Sequence, residues 1–98
     1  MDDLNFWNDL SEFFKIFGDG TRLRILNYLL DGEKCVSEIA ESLEISTSAV
    51  SHQLKTLRTS NIVRTRKDGK QIYYTLSDKH IEIILKYAYE HIQEGVEK

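Results

Sequence analysis

Four residues near the C-terminal end carry donor atoms that could together hold a metal ion. They are Asp78, His80, His91 and Glu94, in the pattern D-x-H, ten residues, H-x-x-E. Two imidazoles and two carboxylates suit tetrahedral zinc at bonds of about 2 Å, with cobalt also acceptable; with no thiolate in the set, Cd(II), Pb(II) and As(III) are disfavoured. His80 and His91 are eleven positions apart, close to three helical turns, so they share one line of a helix with Ile84 and Tyr87 between them. At 1.5 Å per residue they are still roughly 16 Å apart along the axis, so one helix cannot gather all four groups. Two copies packed antiparallel about a two-fold axis can, with Asp78 and His80 of one meeting His91 and Glu94 of the other, at two sites per dimer. His91 and Glu94 are i and i+3 and share a face. Asp78 joins His80 only at a helix entry, where a non-helical capping residue turns inward. Taken singly, each residue has a plainer role: a cap, a surface or interface histidine, a solvated carboxylate. The joint spacing, which works only across a two-fold, is what argues for an ion.

The second constellation lies in residues 37–59, SEIAESLEISTSAVSHQLKTLRT. Ile39, Ala40 and Leu43 give a first short helix one apolar side, and Glu44, Ile45 and Ser46 make a turn in which Ser46 is a good N-cap. Val50, Leu54 and Leu57 are the buried side of a second helix. Ala40 and Val50 are compact enough for the two axes to cross closely, as a helix-turn-helix requires. The outer side carries Thr47, Ser48, Ser51, His52 and Lys55, joined by Gln53: short donors and acceptors plus a cation, suited to base edges and phosphates in a major groove. An ordinary helical hairpin with a polar outer face is the plain alternative. Charge distribution weighs against it. The chain has net charge −3, but residues 46–70 hold one acid and six bases, Lys55, Arg58, Arg64, Arg66, Lys67 and Lys70, while the flanks are acidic. A basic band in an acidic chain is a local footprint for a polyanion.

These side chains need elements to position them. Leu4, Trp7, Leu10, Phe14 and Phe17 recur at helical steps and Phe6, Phe13 and Ile16 widen the stripe, so the first helix is read as part core and part subunit contact. Gly18-Asp19-Gly20 breaks it, and Thr21 is placed to cap a buried helix through Leu23, Ile25, Leu26, Leu29 and Leu30 that ends at Asp31-Gly32. After the helix-turn-helix the period becomes two: Ile62–Arg66 and Gln71–Leu76 read as strands, with Asp68-Gly69 closing a hairpin. A basic hairpin directly after a recognition helix is the layout of a winged helix. Ser77 or Asp78 then caps a last helix to about Gln93. The expected fold is mainly α with a small β-hairpin, a homodimeric winged helix-turn-helix. Residues 1–98 form a single DNA-binding domain with N- and C-terminal dimerisation helices. Ninety-eight residues suit one core, and no apolar run approaches a membrane span. The start Met1-Asp2-Asp3 has no secretory pattern, and the single cysteine excludes an intrachain disulfide, so a reducing cytoplasm is expected.

On these residues the chain resembles the ArsR–SmtB family of bacterial metal-responsive repressors. The matching stretches are Phe17–Leu26, Glu33–Ala40, Ser48–Lys55 with Leu57, and the wing Gly69–Leu76. The pattern of Asp78, His80, His91 and Glu94 is similar to that of the zinc-sensing branch, whose site lies in the C-terminal helices of the dimer. The resemblance implies a homodimer that holds operator DNA without metal, represses a metal-efflux or resistance operon and leaves when zinc binds. Two departures are visible. The cadmium, lead and arsenic branch uses a C-x-C pair where this chain has Cys35 and Ser37, and the usual proline before Thr21-Arg22 is Gly20. Some nickel and cobalt sensors add N-terminal histidines, and residues 1–17 contain none. A regulator of the same fold that answers to a non-metal signal, such as Cys35 oxidation, or to none, is the alternative. Enzymatic function is not expected. His91-x-x-Glu94 is not H-E-x-x-H, and four protein ligands leave no open position for a small-molecule substrate.

Overall fold

A computed structural model describes residues 3–96. The chain begins with α1 (Leu4–Ile16) and α2 (Gly20–Leu29), then a two-residue strand β1 (Lys34–Cys35). The pair α3 (Val36–Leu43) and α4 (Thr47–Thr59) follows, then strands β2 (Val63–Asp68) and β3 (Gln71–Leu76), then α5 (Lys79–Val96). The sheet is antiparallel in the order β1-β3-β2. This is a winged helix-turn-helix with a three-stranded sheet, one strand more than the hairpin read from sequence. None of its helices, among the described residues, is long and apolar enough to cross a membrane.

Local chemistry sets most boundaries. Ser46 caps α4, its hydroxyl accepting from the Ala49 N–H at 3.0 Å. α3 and α4 each end in a Schellman motif, in which a left-handed residue turns the chain and the last carbonyls are satisfied by following N–H groups. Glu44 (φ 57°) does this for α3, with the Ile45 N–H donating to Ala40 O at 3.1 Å. Asn61 (φ 60°) does it for α4, with the Ile62 N–H donating to Leu57 O at 2.9 Å. Three expectations shift. Asp19, not Thr21, caps α2: its carboxylate accepts from the Arg22 N–H at 3.0 Å, adding a negative charge to the positive end of the helix dipole. The hairpin loop is Gly69-Lys70, since Asp68 still pairs with Gln71, and Gly69 takes the positive φ of 62° that the tight turn needs. α5 runs three residues past Gln93.

The core joins Ile25, Leu26 and Leu29 of α2 with Ile39 and Leu43 of α3 and Val50, Leu54 and Leu57 of α4, closed by Ile62, Val63, Leu76, Ile81 and Leu85. Each fully buried aliphatic contributes about 1.5–3 kcal/mol relative to exposure. α1 has no fully buried residue; Phe13, Ile16 and Phe17 lean on the core while Leu4, Trp7 and Phe14 face outward. Leu54→Ala, at a position with no exposed surface, is expected to destabilise the fold by about 2–5 kcal/mol, read as a lower urea midpoint at fixed protein concentration.

Candidate nucleic-acid interface and metal centre

The inner side of α4 is anchored by Val50, Leu54 and Leu57, so its outer side is held rigidly. Thr47, Ser48, Ser51, His52, Lys55 and Arg58 are all exposed on it. Gln53 is half-buried, and its Oε1 accepts from Arg22 Nε at 2.8 Å, tying α4 to α2. That leaves its amide N–H groups and one lone pair of Oε1 for a base edge. Arg24 makes a second strut, donating to Leu43 O at 3.0 Å at the end of α3. Neither arginine was singled out from sequence, because the partners lie 31 and 19 residues away.

The wing divides its cations between two faces. Strand register places Arg64 opposite Thr75 and Arg66 opposite Tyr73, on one side of the sheet, and Thr65 opposite Tyr74 and Lys67 opposite Ile72, on the other. The second side faces α4 across a cleft of about 400 Å³ lined by Ser51, Lys55, Arg58, Thr59 and Tyr74. Two cations with three hydroxyl groups form a cradle suited to a phosphate strand. Thr59 and Tyr74 were not among the residues read from sequence; the alternation that puts Tyr74 on the inner face of β3 was the available signal. Arg66 has a different setting. Its Nε donates to Glu33 Oε2 at 3.0 Å and its Nη2 to Oε1, Asp68 lies 3.7 Å away, and its guanidinium sits 5.0 Å from the Tyr73 ring centre. The forked pair with Arg66 holds the Glu33 carboxyl below its ordinary range. Arg64, Lys67 and Lys70 are exposed.

Asp78 caps α5, its Oδ1 accepting from the Ile81 N–H at 3.1 Å, and the same oxygen lies 3.7 Å from His80 Nδ1. Tetrahedral ligands at bonds of about 2.0–2.1 Å stand about 3.3 Å apart, so this pair needs only a small adjustment to share an ion. The His80 side chain is 88% exposed and that of Asp78 55%. His91 and Glu94 are exposed near the other end of α5, with Ile83 and Tyr87 bare between the two pairs. Among the described residues of one chain, no three His, Cys, Asp or Glu side chains converge. One protomer thus brings Asp78 and His80 together, while His91 and Glu94, one helical turn apart, lie near the other end of α5. The Asp78 carboxyl is held below the ordinary carboxylate range, chiefly by the Ile81 N–H and then by the neighbouring imidazole. The depressed value means that this cap's stabilisation is fully present above the ordinary carboxylate value and is lost as pH falls through the lower one. At neutral pH Asp78 has no proton to lose to an incoming cation. Cys35 is buried, with Sγ 3.2 Å from Ser37 Oγ, and is the chain's single thiol.

Residues 19–65 match the model of the bacterial regulatory proteins of the arsR family. A transcriptional repressor SmtB homolog from Synechocystis is 39% identical over 86 residues, covering 88% of this chain and 65% of that protein. A cadmium resistance regulatory protein CadC homolog from Staphylococcus aureus is 39% identical over 87 residues, covering 88% of this chain and 72% of its own length. The chain belongs to the arsR family of bacterial regulatory proteins. Its fold matches that of a homodimeric winged helix-turn-helix DNA-binding domain from Mycobacterium bovis, with a TM-score of 0.87 and 23% identity over 96% of this chain and 89% of the other. As an arsR-family protein it is a regulator with a DNA-binding fold and not an enzyme. The chain spans about two thirds of the length of the first of these relatives.

The split of cations yields a test with generic duplex DNA. Lys55→Ala and Arg58→Ala should each reduce the slope of log affinity against log salt by about one, as expected for one lost phosphate contact. Arg66→Ala should leave that slope unchanged, because Glu33 and Asp68 already neutralise it. Fluorescence anisotropy over a salt series separates the two outcomes.

Proposed function

We propose that the chain is a zinc-responsive transcriptional repressor that binds operator DNA in the cytoplasm as a metal-free homodimer and is released when zinc joins the α5 helices of the pair. One observation carries this reading: two exposed donor pairs lie at opposite ends of one helix, with an unpartnered apolar surface between them. Leu4, Trp7 and Phe14 of α1 and Ile83, Tyr87, Tyr89 and Ile92 of α5 are exposed apolar groups of the kind a second subunit covers. The whole of residues 1–98 then acts as one domain, with α1 and α5 as its dimerisation helices. For Asp78 to reach Glu94 of the partner subunit and His80 to reach His91 of the partner subunit, the two-fold axis must cross α5 close to Lys86. The nitrogen and oxygen donors favour zinc, with cobalt as a weaker fit, over the thiophilic ions. The cadmium-resistance relative is named for a thiophilic ion; this chain has a single thiol, which is buried.

On DNA, the two α4 helices enter successive major grooves about 34 Å apart. Thr47, Ser48, Ser51, His52 and the Gln53 amide read base edges. Lys55, Arg58, Lys67 and Lys70 hold phosphates, and Arg64 adds charge from the far face of the wing. Arg66, tied to Glu33, stiffens the wing base. A bound divalent ion supplies a fixed tie between chains. Asp78 and His80 then hold the start of one α5 against the end of the other, and since α5 follows β3 after two residues, the wings and reading helices shift with it. The coupling is reciprocal, so DNA weakens zinc binding by the same factor.

The test is anisotropy at fixed salt with a duplex selected by the protein from a random-sequence pool. Zinc should lower affinity and a chelator should restore it. His80→Ala and His91→Ala should each abolish the zinc response while leaving metal-free DNA binding intact; an undiminished response in both would hand the function to a non-metal signal.

A further inference from the structure

The end of the recognition helix is held by the residue next to the first metal donor. The Schellman motif that closes α4 has Asn61 N–H donating to Arg58 O at 3.0 Å and Ile62 N–H to Leu57 O at 2.9 Å. The carbonyls of those same two residues are both taken by Ser77. The Ser77 hydroxyl donates to Asn61 O at 2.7 Å and the Ser77 backbone N–H to Ile62 O at 2.9 Å. Ser77 is followed at once by Asp78, whose carboxylate caps α5. Ile62, Val63 and Leu76 around this junction are buried, so it cannot yield independently of the core.

We propose that Ser77 is the positioning residue that transmits the state of the α5 donor pair to the recognition helix, through its hydroxyl bond to the carbonyl of Asn61. This rests on the metal reading above and adds the route by which it acts. The backbone bond to Ile62 continues the β2–β3 ladder and is open to any residue at this position, whereas the hydroxyl bond needs Ser or Thr. A change in the direction of Asp78 pulls on Ser77. With the hydroxyl engaged, the left-handed Asn61 follows, and with it the last turn of α4. Without it, only the backbone bond to Ile62 links Asp78 to the end of α4, Asn61 follows less closely, and the coupling weakens. Coupling of this kind requires an element whose arrangement both sites bias, and the α4–Ser77–Asp78 junction is one that touches both.

The experiment compares wild type, Ser77→Ala, and the equally shaped pair Ser77→Thr and Ser77→Val. It measures zinc affinity by chelator competition and affinity for the selected duplex with and without zinc. Ser77→Ala and Ser77→Val should bind zinc and, separately, DNA within about twofold of wild type, yet the factor by which zinc weakens DNA binding should fall about fivefold, the effect of one hydrogen bond. Ser77→Thr should keep the wild-type factor. If Ser77→Ala lowers the melting temperature, the Thr and Val variants carry the comparison, since they differ only in the hydroxyl. An unchanged factor in Ser77→Val overturns the coupling route alone. Zinc-insensitive DNA binding by wild type overturns the metal reading and the route with it.

Discussion

The length of α5 is the constraint on which the rest depends. An α-helix rises 1.5 Å per residue, so donors eleven positions apart are held on one line and kept roughly 16 Å from each other. No side-chain rotation closes that gap. In the proposed site the ion is therefore a property of the pair of chains, and binding it is inseparable from how two α5 helices cross. The exposed Ile83 and Tyr87 between the donor pairs fit the same logic. In the proposed dimer they would supply burial for the crossing, and the polar donors at either end would fix its register.

The DNA face obeys a complementary economy. The chain is acidic overall, yet six of its thirteen Lys and Arg lie in residues 46–70, on α4 and the wing, and all six are exposed. The structure then sorts them. Lys55 and Arg58 line the cleft between helix and wing, while Arg66 is neutralised by Glu33 and stacked on Tyr73. Charge in the sequence is thus not equivalent to charge offered to a partner. Arg22 and Arg24 make the same point from inside the fold: both are spent on bracing α2 against α3 and α4, which keeps the reading helix at a fixed angle.

Much of this was legible in the residues because it is local. The Ser46 cap, the apolar side of α4, the period change after Asn61 and the capping role of Asp78 each depend on neighbours within a few positions. The remainder depends on distant partners. β1 is two residues long and shows no alternation, so only its pairing with Tyr73 and Tyr74 makes it a strand. The Glu33–Arg66 pair spans 33 positions and the Ser77–Asn61 bond 16. Asp19 outcompetes Thr21 because a carboxylate satisfies an end N–H and complements the dipole at once, a balance that cap preference alone leaves open. The four proposed donors stand out in the sequence as a set by spacing, but which chain would supply each pair is a statement about assembly, and spacing along one helix is the only part of it written in a single sequence.

Complementation between two defective protomers addresses that assembly most directly. One carries Asp78→Ala with His80→Ala, the other His91→Ala with Glu94→Ala, and each is expected to bind no zinc at the α5 site as a homodimer. Unfolded together and re-paired at random, half the dimers are mixed, and each mixed dimer rebuilds one intact site from the undamaged pair of either chain. Zinc binding should return to about a quarter of the wild-type stoichiometry. No recovery on mixing, or full binding by either variant alone, would contradict a site shared across the two-fold.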